Sequence, residues 1–430
     1  MSKEKRPETS ESESVPRLKH HLSAMFSGGT PETSNDDYWS IDESGIAWVA
    51  IGDMSGRELI GSTQKRITED GCESKRLKVL PPGTLIYSMY ASLGHVAELV
   101  IPATINQALL GFEFKKGVHK QYVKWQLRHL QWRILEEASS NTQDNLNAEK
   151  VRNLPIPLPM YETQVAIADC LDRETTRLDS LAAVKGRQLE LLAEKRRALI
   201  TRTVTHGLDP NVPLRDSGIS WLGELPAKWE MTRLKFIAEV RGGLTLGKNY
   251  GSKELVEFPY LRVANVQDGH IDLSDVATVL IPRAEAESFL LQSGDVLMNE
   301  GGDADKLGRG FIWYGEIAPC LHQNHVFAVR PRIIRSEWIN AWTSTEGAKG
   351  YFESRAKQST NLASISATNI KELPIPLPPE NEQSAILAYI ATETAKLNAM
   401  SSAIEHTISL LKERRAALIA AAVTGKIKVV

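Results

Sequence analysis

The apolar positions of this chain change their spacing twice, in the same order. Short apolar runs bounded by Gly and Pro, at 46–53 and 80–87, predict strands and their exits. A further strand-rich part covers 103–114. From 116 to 137 the period lengthens to that of a helix, with Val123, Leu127, Leu130 and Ile134 on one face and Lys120, Lys124, Arg128 and Arg133 elsewhere. Beyond a Pro-rich stretch the apolar residues recur at sevens: Leu171, Leu178, Leu192 and Leu199, with Lys185 interrupting the line. The second half repeats this order. Strands are predicted at 259–266, 291–298, 311–314 and 326–329, and Trp338, Ile339 and Trp342 open a helix. A second line at sevens then runs Ile390, Leu397, Ile404, Leu411, Leu418.

A line at sevens is the seam of a coiled coil, narrower than the stripe a helix buries against its own domain. Leu181 and Val184 flank the first seam, and Ile386, Met400 and Ile408 the second. Gly186 weakens the first helix by roughly 1 kcal/mol. Each helix has room for about forty residues, or about 60 Å. Two such helices in one chain most simply pair with each other.

The stretch before each helix is a repeat. Leu154-Pro155-Ile156-Pro157-Leu158-Pro159 returns as Leu373-Pro374-Ile375-Pro376-Leu377-Pro378, 219 positions later. The offset holds without a gap from Gln164 and Gln383 to Thr205 and Thr424. Each proline fixes its own φ and keeps the preceding residue out of the helical region, so the stretch is a stiff extended lead-in. Glu380 and Glu382 suit the positive end of the helix that follows. The chain is therefore two similar halves, each a globular segment, a Pro hinge and a long helix. The expected segments are a disordered tail over 1–16, a globular domain over 17–153, a hinge and helix over 154–206, a lead-in and second domain over 207–372, and a hinge and helix over 373–430. The globular parts share their order of elements but not their residues, which suggests one scaffold carrying two binding surfaces.

Composition narrows the classes. No run approaches the eighteen apolar residues of a membrane span, the polar N-terminus has no signal-peptide core, and the three scattered cysteines fit a reducing cytoplasm. The net charge of −2 argues against a protein that coats nucleic acid without selectivity, though not against local basic patches. Gly242-Gly243-Leu244-Thr245-Leu246-Gly247-Lys248-Asn249 nearly spells a phosphate-binding loop, but Asn249 stands where a Mg²⁺-binding Ser or Thr is needed. Cys320, His322 and His325 lack a fourth metal ligand nearby, and the first half has nothing comparable. Neither a base-methyltransferase motif nor a nucleophile–base set is visible, so no catalytic or metal residues are assigned. What remains is recognition by Lys, Arg and aromatic residues in loops: Arg57, Lys65, Arg66, Lys75, Arg76 and Tyr90 in the first half, and Lys248, Tyr250, Arg262, Lys306 and Arg309 in the second. For any one of these, a solvated surface charge is the bland alternative.

With the duplicated Pro hinges, the Gln-bearing helix starts at Gln164 and Gln383, the lead-in over 216–230 and the Gly294-Asp295-Val296-Leu297 turn in view, the chain resembles the specificity subunit of Type I restriction–modification systems. The resemblance implies an α+β fold with a pseudo-twofold internal repeat, in which two mixed α/β target recognition domains are joined by two long helices pairing as an antiparallel coiled coil. It implies a non-catalytic subunit that binds a split site on double-stranded DNA. Two methylation subunits, and restriction subunits where encoded, would be its partners. S-adenosylmethionine, ATP and Mg would sit on those partners, with no cofactor in this chain and no membrane. Two other classes are a coiled-coil scaffold with no DNA role, which would bind no DNA even with a methylation subunit, and a standalone DNA-modifying enzyme, which would methylate DNA unaided.

Overall fold

The computed structural model describes residues 15–90, 93–140, 146–302, 307–358 and 363–429. The chain divides into two compact units, Met1–Val184 with Thr407–Val430, and Lys185–His406. The division cuts both long helices, Tyr161–His206 and Glu380–Val423. Each unit therefore holds one globular segment and a piece of each helix. Most of the tail expected at 1–16 lies outside the described residues.

In the first unit a five-stranded sheet runs in the order Leu22–Ser27, Leu109–Phe114, Leu85–Ser88, Val96–Leu99, Leu59–Ile60. A second sheet contains a parallel pair, Ile46–Val49 beside Ala103–Ile105. The second unit repeats both. Its four-stranded sheet runs Ala238–Arg241, Val326–Pro331, Val296–Asn299, Gly310–Ile312, and Val256–Leu261 lies parallel to Leu321–His322. The continuous apolar runs at 85–87 and 296–298 follow from burial on both faces. Side chains alternate across a strand. Leu85 and Tyr87 enter the core that also holds Val123 and Leu127, while Ile86 enters the core with Ala97 and Leu109. Val296 and Met298 likewise join one core and Leu297 another.

The helix Lys120–Ser140 buries Val123, Leu127 and Leu130 as its period requires. Lys124 does not follow the pattern. It is only 6% exposed. A carboxylate, Glu58, lies 3.6 Å from its ammonium, which offsets part of the cost of burial.

The second Pro hinge is an edge strand, and the first makes one antiparallel bridge, Pro155 opposite Arg17. Pro374–Leu377 pairs antiparallel with Glu230–Arg233, and Leu234 N–H donates to Leu373 O at 3.0 Å. In the first unit Leu18 N–H donates to Leu154 O at 2.8 Å and Ile156 N–H to Pro16 O at 2.9 Å. Edge placement suits alternate prolines, which have no N–H to offer a second neighbour. Their carbonyls are taken by aromatic donors: Trp338 Nε1 to Pro376 O and Trp342 Nε1 to Pro374 O, both at 2.9 Å, and Tyr122 Oη to Pro157 O at 3.1 Å. The duplicated glutamines then tie each helix start back to its hinge, Gln164 Nε2 to Pro159 O at 2.8 Å and Gln383 Nε2 to Pro378 O at 3.2 Å.

Within each unit the two helix pieces pack antiparallel. In the first, Ile167, Ala168 and Leu171 share a core with Ile419, Ala422 and Val423, and Asp179 pairs with Arg415 at 2.9 Å. In the second, Val204 shares a core with Ile386 and Ile390, and a Cβ on Gly207 would lie 3.1 Å from Glu382 Oε1. Leu171, Ile390 and Leu397 are buried, and Leu178, Leu192, Leu199, Ile404, Leu411 and Leu418 half-buried. Of the flanking residues, Ile386 is buried and Ile408 half-buried as expected, but the other three differ. Leu181, Val184 and Met400 are exposed, and Ala182, Leu189 and Ser401 are half-buried instead. Steps alternating by four and three, as in 178, 182, 185, 189, 192, keep a straight seam, and 181 and 184 fall off it. The first helix runs unbroken through Lys185-Gly186. Lys185 lies half-buried along the seam and its ammonium reaches Gln188 Oε1 at 3.1 Å.

Candidate nucleic-acid interface

One end of each globular segment gathers the exits of its main strands. In the first unit Gly29 N–H donates to Ile105 O at 3.0 Å, Asn106 N–H to Val49 O at 3.0 Å, Ser88 N–H to His95 O at 2.9 Å, and Met89 N–H to Ala108 O at 2.9 Å. The second unit makes the same four bonds with different residues: Leu244 to His322 O at 2.8 Å, Gln323 to Leu261 O at 2.9 Å, Asn299 to Arg309 O at 3.0 Å, and Glu300 to His325 O at 2.9 Å. One backbone frame thus presents two sets of side chains.

Glycine is required at one point of that frame. A Cβ on Gly28 would lie 2.1 Å from the carbonyl oxygens of Ile105 and Asn106, and one on Gly243 would lie 2.2 Å from His322 O and 2.3 Å from Gln323 O. A pairing of Gly28-Gly29 with Gly242-Gly243, glycine for glycine, is therefore off by one. Gly28 corresponds to Gly243, and Gly29 to Leu244. The next carbonyl along is capped in both, by Trp48 Nε1 on Gly29 O at 2.9 Å and by Tyr260 Oη on Leu244 O at 3.2 Å.

The candidate residues of the first unit divide. Arg57 and Tyr90 are exposed at this end; the Arg57 carbonyl meets the His95 ring at 2.9 Å, and the Ser88 hydroxyl donates to Tyr90 O at 2.8 Å. Lys65 pairs opposite Trp48 and its ammonium sits 5.1 Å from the Trp39 ring centre. Lys75 lies beside Gly29, followed by Arg76 in a left-handed conformation at φ 49°. Arg66 is different: its guanidinium donates to Gly45 O at 2.7 Å, at the opposite end of the strand Ile46–Val49. Thr30, Asn106 and Gln107 join the group, with the Thr30 hydroxyl bonded to the Gln107 side chain. Sequence reading passed over them because they are uncharged. The signal was two carboxamides directly after an apolar strand.

In the second unit two of the candidate cations are already paired. Arg262 Nη2 meets Asp275 Oδ2 at 2.8 Å, Lys248 meets Glu285 at 2.8 Å, and Tyr250 Oη reaches the same carboxylate at 3.3 Å. The Lys248 bond holds the Glu285 carboxyl below its ordinary range and lifts the Lys248 ammonium. Lys248 and Tyr250 border a cavity of about 320 Å³ formed largely by their own loop, 244–251. Arg309 is half-buried, its Nε without a partner. Lys306 lies outside the described residues. His325, which sequence reading considered only as a metal ligand, is exposed and pairs with Glu300 at 2.6 Å. His322 is buried, and its Nδ1 sits 2.7 Å from Val326 O. Among the described residues no group of three or more His, Cys, Asp or Glu could hold a metal ion, and no helix is long and apolar enough to cross a membrane.

The family described as Type I restriction modification DNA specificity domain matches this sequence over residues 24–190 and again over 226–409. The chain belongs to this family. A putative type I restriction enzyme MjaX specificity subunit of Methanocaldococcus jannaschii is 29% identical over 188 residues, 43% of this chain and 44% of the relative. The MjaIX specificity subunit of the same organism is 24% identical over 297 residues, 67% and 66% of the two chains. The EcoKI specificity subunit of Escherichia coli K12 is 23% identical over 294 residues, 66% and 60%. The matched part thus spans less than two thirds of each of these relatives. Among solved structures, a chain from a study of complex assembly and conformational transition of the type I R-M system aligns over 96% of this chain and 99% of its own, with a TM-score of 0.67 at 16% identity. The HsdS subunit from Thermoanaerobacter tengcongensis aligns over 96% of each chain with a TM-score of 0.50, also at 16% identity. At such identities the likeness is one of fold: two mixed α/β segments and two long helices.

Proposed function

We propose that this chain is the DNA sequence-specificity subunit of a Type I restriction–modification complex. Each globular segment reads one half of a bipartite, asymmetric double-stranded site with the residues at its strand exits. The observation that carries this reading is the duplicated frame. Four backbone hydrogen bonds and one obligatory glycine are kept, while the side chains around them differ, with Tyr90 and Gln107 in the first unit and Glu300 and His325 in the second. A scaffold repeated with different tips suits two different half-sites. The chain itself supplies recognition and not catalysis. Two methylation subunits bring S-adenosylmethionine, and restriction subunits, where encoded, bring ATP and Mg. The paired cations of the second segment accept phosphates by exchanging Asp275 and Glu285 for DNA oxygens, so binding there is salt-sensitive.

The test is segment exchange. Replacing 233–360 by the matching segment of another family member, followed by genome-wide mapping of methylated adenines, changes one half of the methylated sequence and leaves the other. A change in both halves would sink the modular reading. Failure of the assembled complex to bind DNA would sink the function itself.

A further inference from the structure

The first unit contains a cationic cavity that the shared frame does not need. It has a volume of about 660 Å³ and is bounded by Arg128, Glu58, His95, Gln131 and Arg415, with Ala416 to Ala420 of the second long helix forming a wall. Arg128 is mostly buried. Its Nη2 binds Glu58 at 2.8 Å, its guanidinium lies 4.8 Å from the Trp125 ring centre, and its Nη1 is buried without a partner. Glu58 also faces the buried Lys124, so one half-exposed carboxylate answers two buried cations. Arg415 borders the cavity as a third cation, bound to Asp179 at 2.9 Å.

Two further observations say this is more than an ion pair holding a helix. The first is its absence from the second unit. Trp338 caps Pro376 O as Tyr122 caps Pro157 O, and counting on from these puts Asn340 and Ser344 where Lys124 and Arg128 stand. The scaffold folds without the cations. The second is position. His95 borders the cavity, and its carbonyl and ring are part of the strand-exit frame beside Arg57 and Ser88. The electrostatics agree. Burial alone raises the Glu58 carboxyl, but its hydrogen bond from Arg128 and the charges of Arg128, Lys124 and Arg415 outweigh that and hold it below its ordinary range. Burial, then repulsion from Arg128, pushes the Lys124 ammonium down.

We propose that this cavity binds a phosphate group, between Arg128 and Arg415, and that the phosphate is one of the DNA backbone next to the half-site read by the first unit. Planar guanidinium groups match phosphate oxygens two at a time. The inference rests on the DNA-reading function above.

The test uses the full chain assembled with its methylation subunits. Affinity for a DNA carrying the methylated sequence is measured across a range of NaCl concentrations, for the wild type, Arg128→Gln, Arg415→Gln and Glu58→Gln. Each phosphate contact contributes about 0.9 to the slope of log affinity against log salt. Loss of this contact lowers the slope by about that amount in both arginine variants, with the methylated sequence unchanged. Glu58→Gln, which removes the competing anion, tightens binding, whereas a purely structural ion pair gives no tightening. Unchanged slopes in arginine variants that still assemble and bind DNA overturn the proposal while leaving the function standing; a wild-type complex that binds no DNA overturns the function. Thermal shifts with inorganic phosphate, without DNA, separate the sources. A phosphate shift lost in Arg128→Gln alongside an unchanged DNA slope assigns the cavity to a free anion and overturns the backbone source.

Discussion

Asp295 supports the strand that leads to the candidate interface of the second unit. It is 1% exposed and accepts three hydrogen bonds: Gln292 N–H at 2.8 Å, and Arg330 Nε and Nη2 at 2.7 Å each. The turn it closes feeds the strand Val296–Asn299, whose last residue belongs to the strand-exit frame. Asp295→Ala leaves a largely buried guanidinium whose remaining hydrogen-bond acceptor among the described residues is the Leu290 carbonyl, at 3.2 Å. Breaking a buried pair from one side costs about 3–5 kcal/mol. Removing both partners together, as Asp295→Leu with Arg330→Met, costs far less, because no uncompensated charge remains and the apolar replacements pack. The two variants therefore separate pairing from burial. Urea unfolding followed by hydrogen-exchange mass spectrometry localises the effect, through peptides spanning 291–299 and 326–331. The expected order of stability places the double variant within about 2 kcal/mol of wild type and the single variant well below both. Methylome mapping with Asp295→Ala should show the second half-site weakened and the first still read. A single variant within about 1 kcal/mol of wild type, or a double variant as unstable as the single, refutes the argument.

Gly186→Ala should stabilise the first long helix by roughly 0.5–1 kcal/mol, because the added Cβ meets nothing within 4 Å; a lower melting temperature would count against an unbroken helix there. Gly243→Ala pushes a methyl group into two carbonyl oxygens and should cost about 1–3 kcal/mol, read as faster exchange at 242–245 and 321–325 and loss of the second half-site only. The Cys320 thiol is pushed up to about 12 by burial, and burial also raises Cys72. At pH 8 a maleimide should therefore label the half-buried Cys170 first and Cys320 only on unfolding. Between pH 9 and 12 the unfolded chain releases the Cys320 proton that the folded chain keeps, so this contribution to stability is full below pH 9 and falls as pH rises.

The features legible in the sequence were those that geometry forces on residue type. Pro at alternate positions dictates a stiff extended stretch, so the hinges were legible as such, while their pairing partners were not. A seam at sevens permits little besides helix pairing, so both long helices were legible too. The seam's second line is not set by apolar character alone: Leu181, Val184 and Met400 are apolar yet exposed, because they fall outside the alternation of four and three. Gly28 and Gly243 were visible as glycines, but the register between the halves was not. It depends on which of two adjacent residues approaches a carbonyl, and only the fold decides that.

The interface was least legible, for an electrostatic reason. Lys and Arg in loops suit a nucleic-acid reader because they are charged, yet Arg66 is spent on the Gly45 carbonyl, and Arg262 and Lys248 face carboxylates from residues 13 and 37 positions away. A cation's availability is set by the nearest anion in space, which spacing along the chain does not report. The reverse holds for Gln107 and His325, which carry no obligatory charge and sit at the mouths of the two frames. On the proposed DNA-reading function, half-site identity rests chiefly on uncharged donors and acceptors held by the frame, and the cations contribute affinity common to all sequences. On that division, substitutions at Gln107 or His325 alter which bases are methylated, and substitutions at Arg57 or Arg262 alter how much salt the complex tolerates.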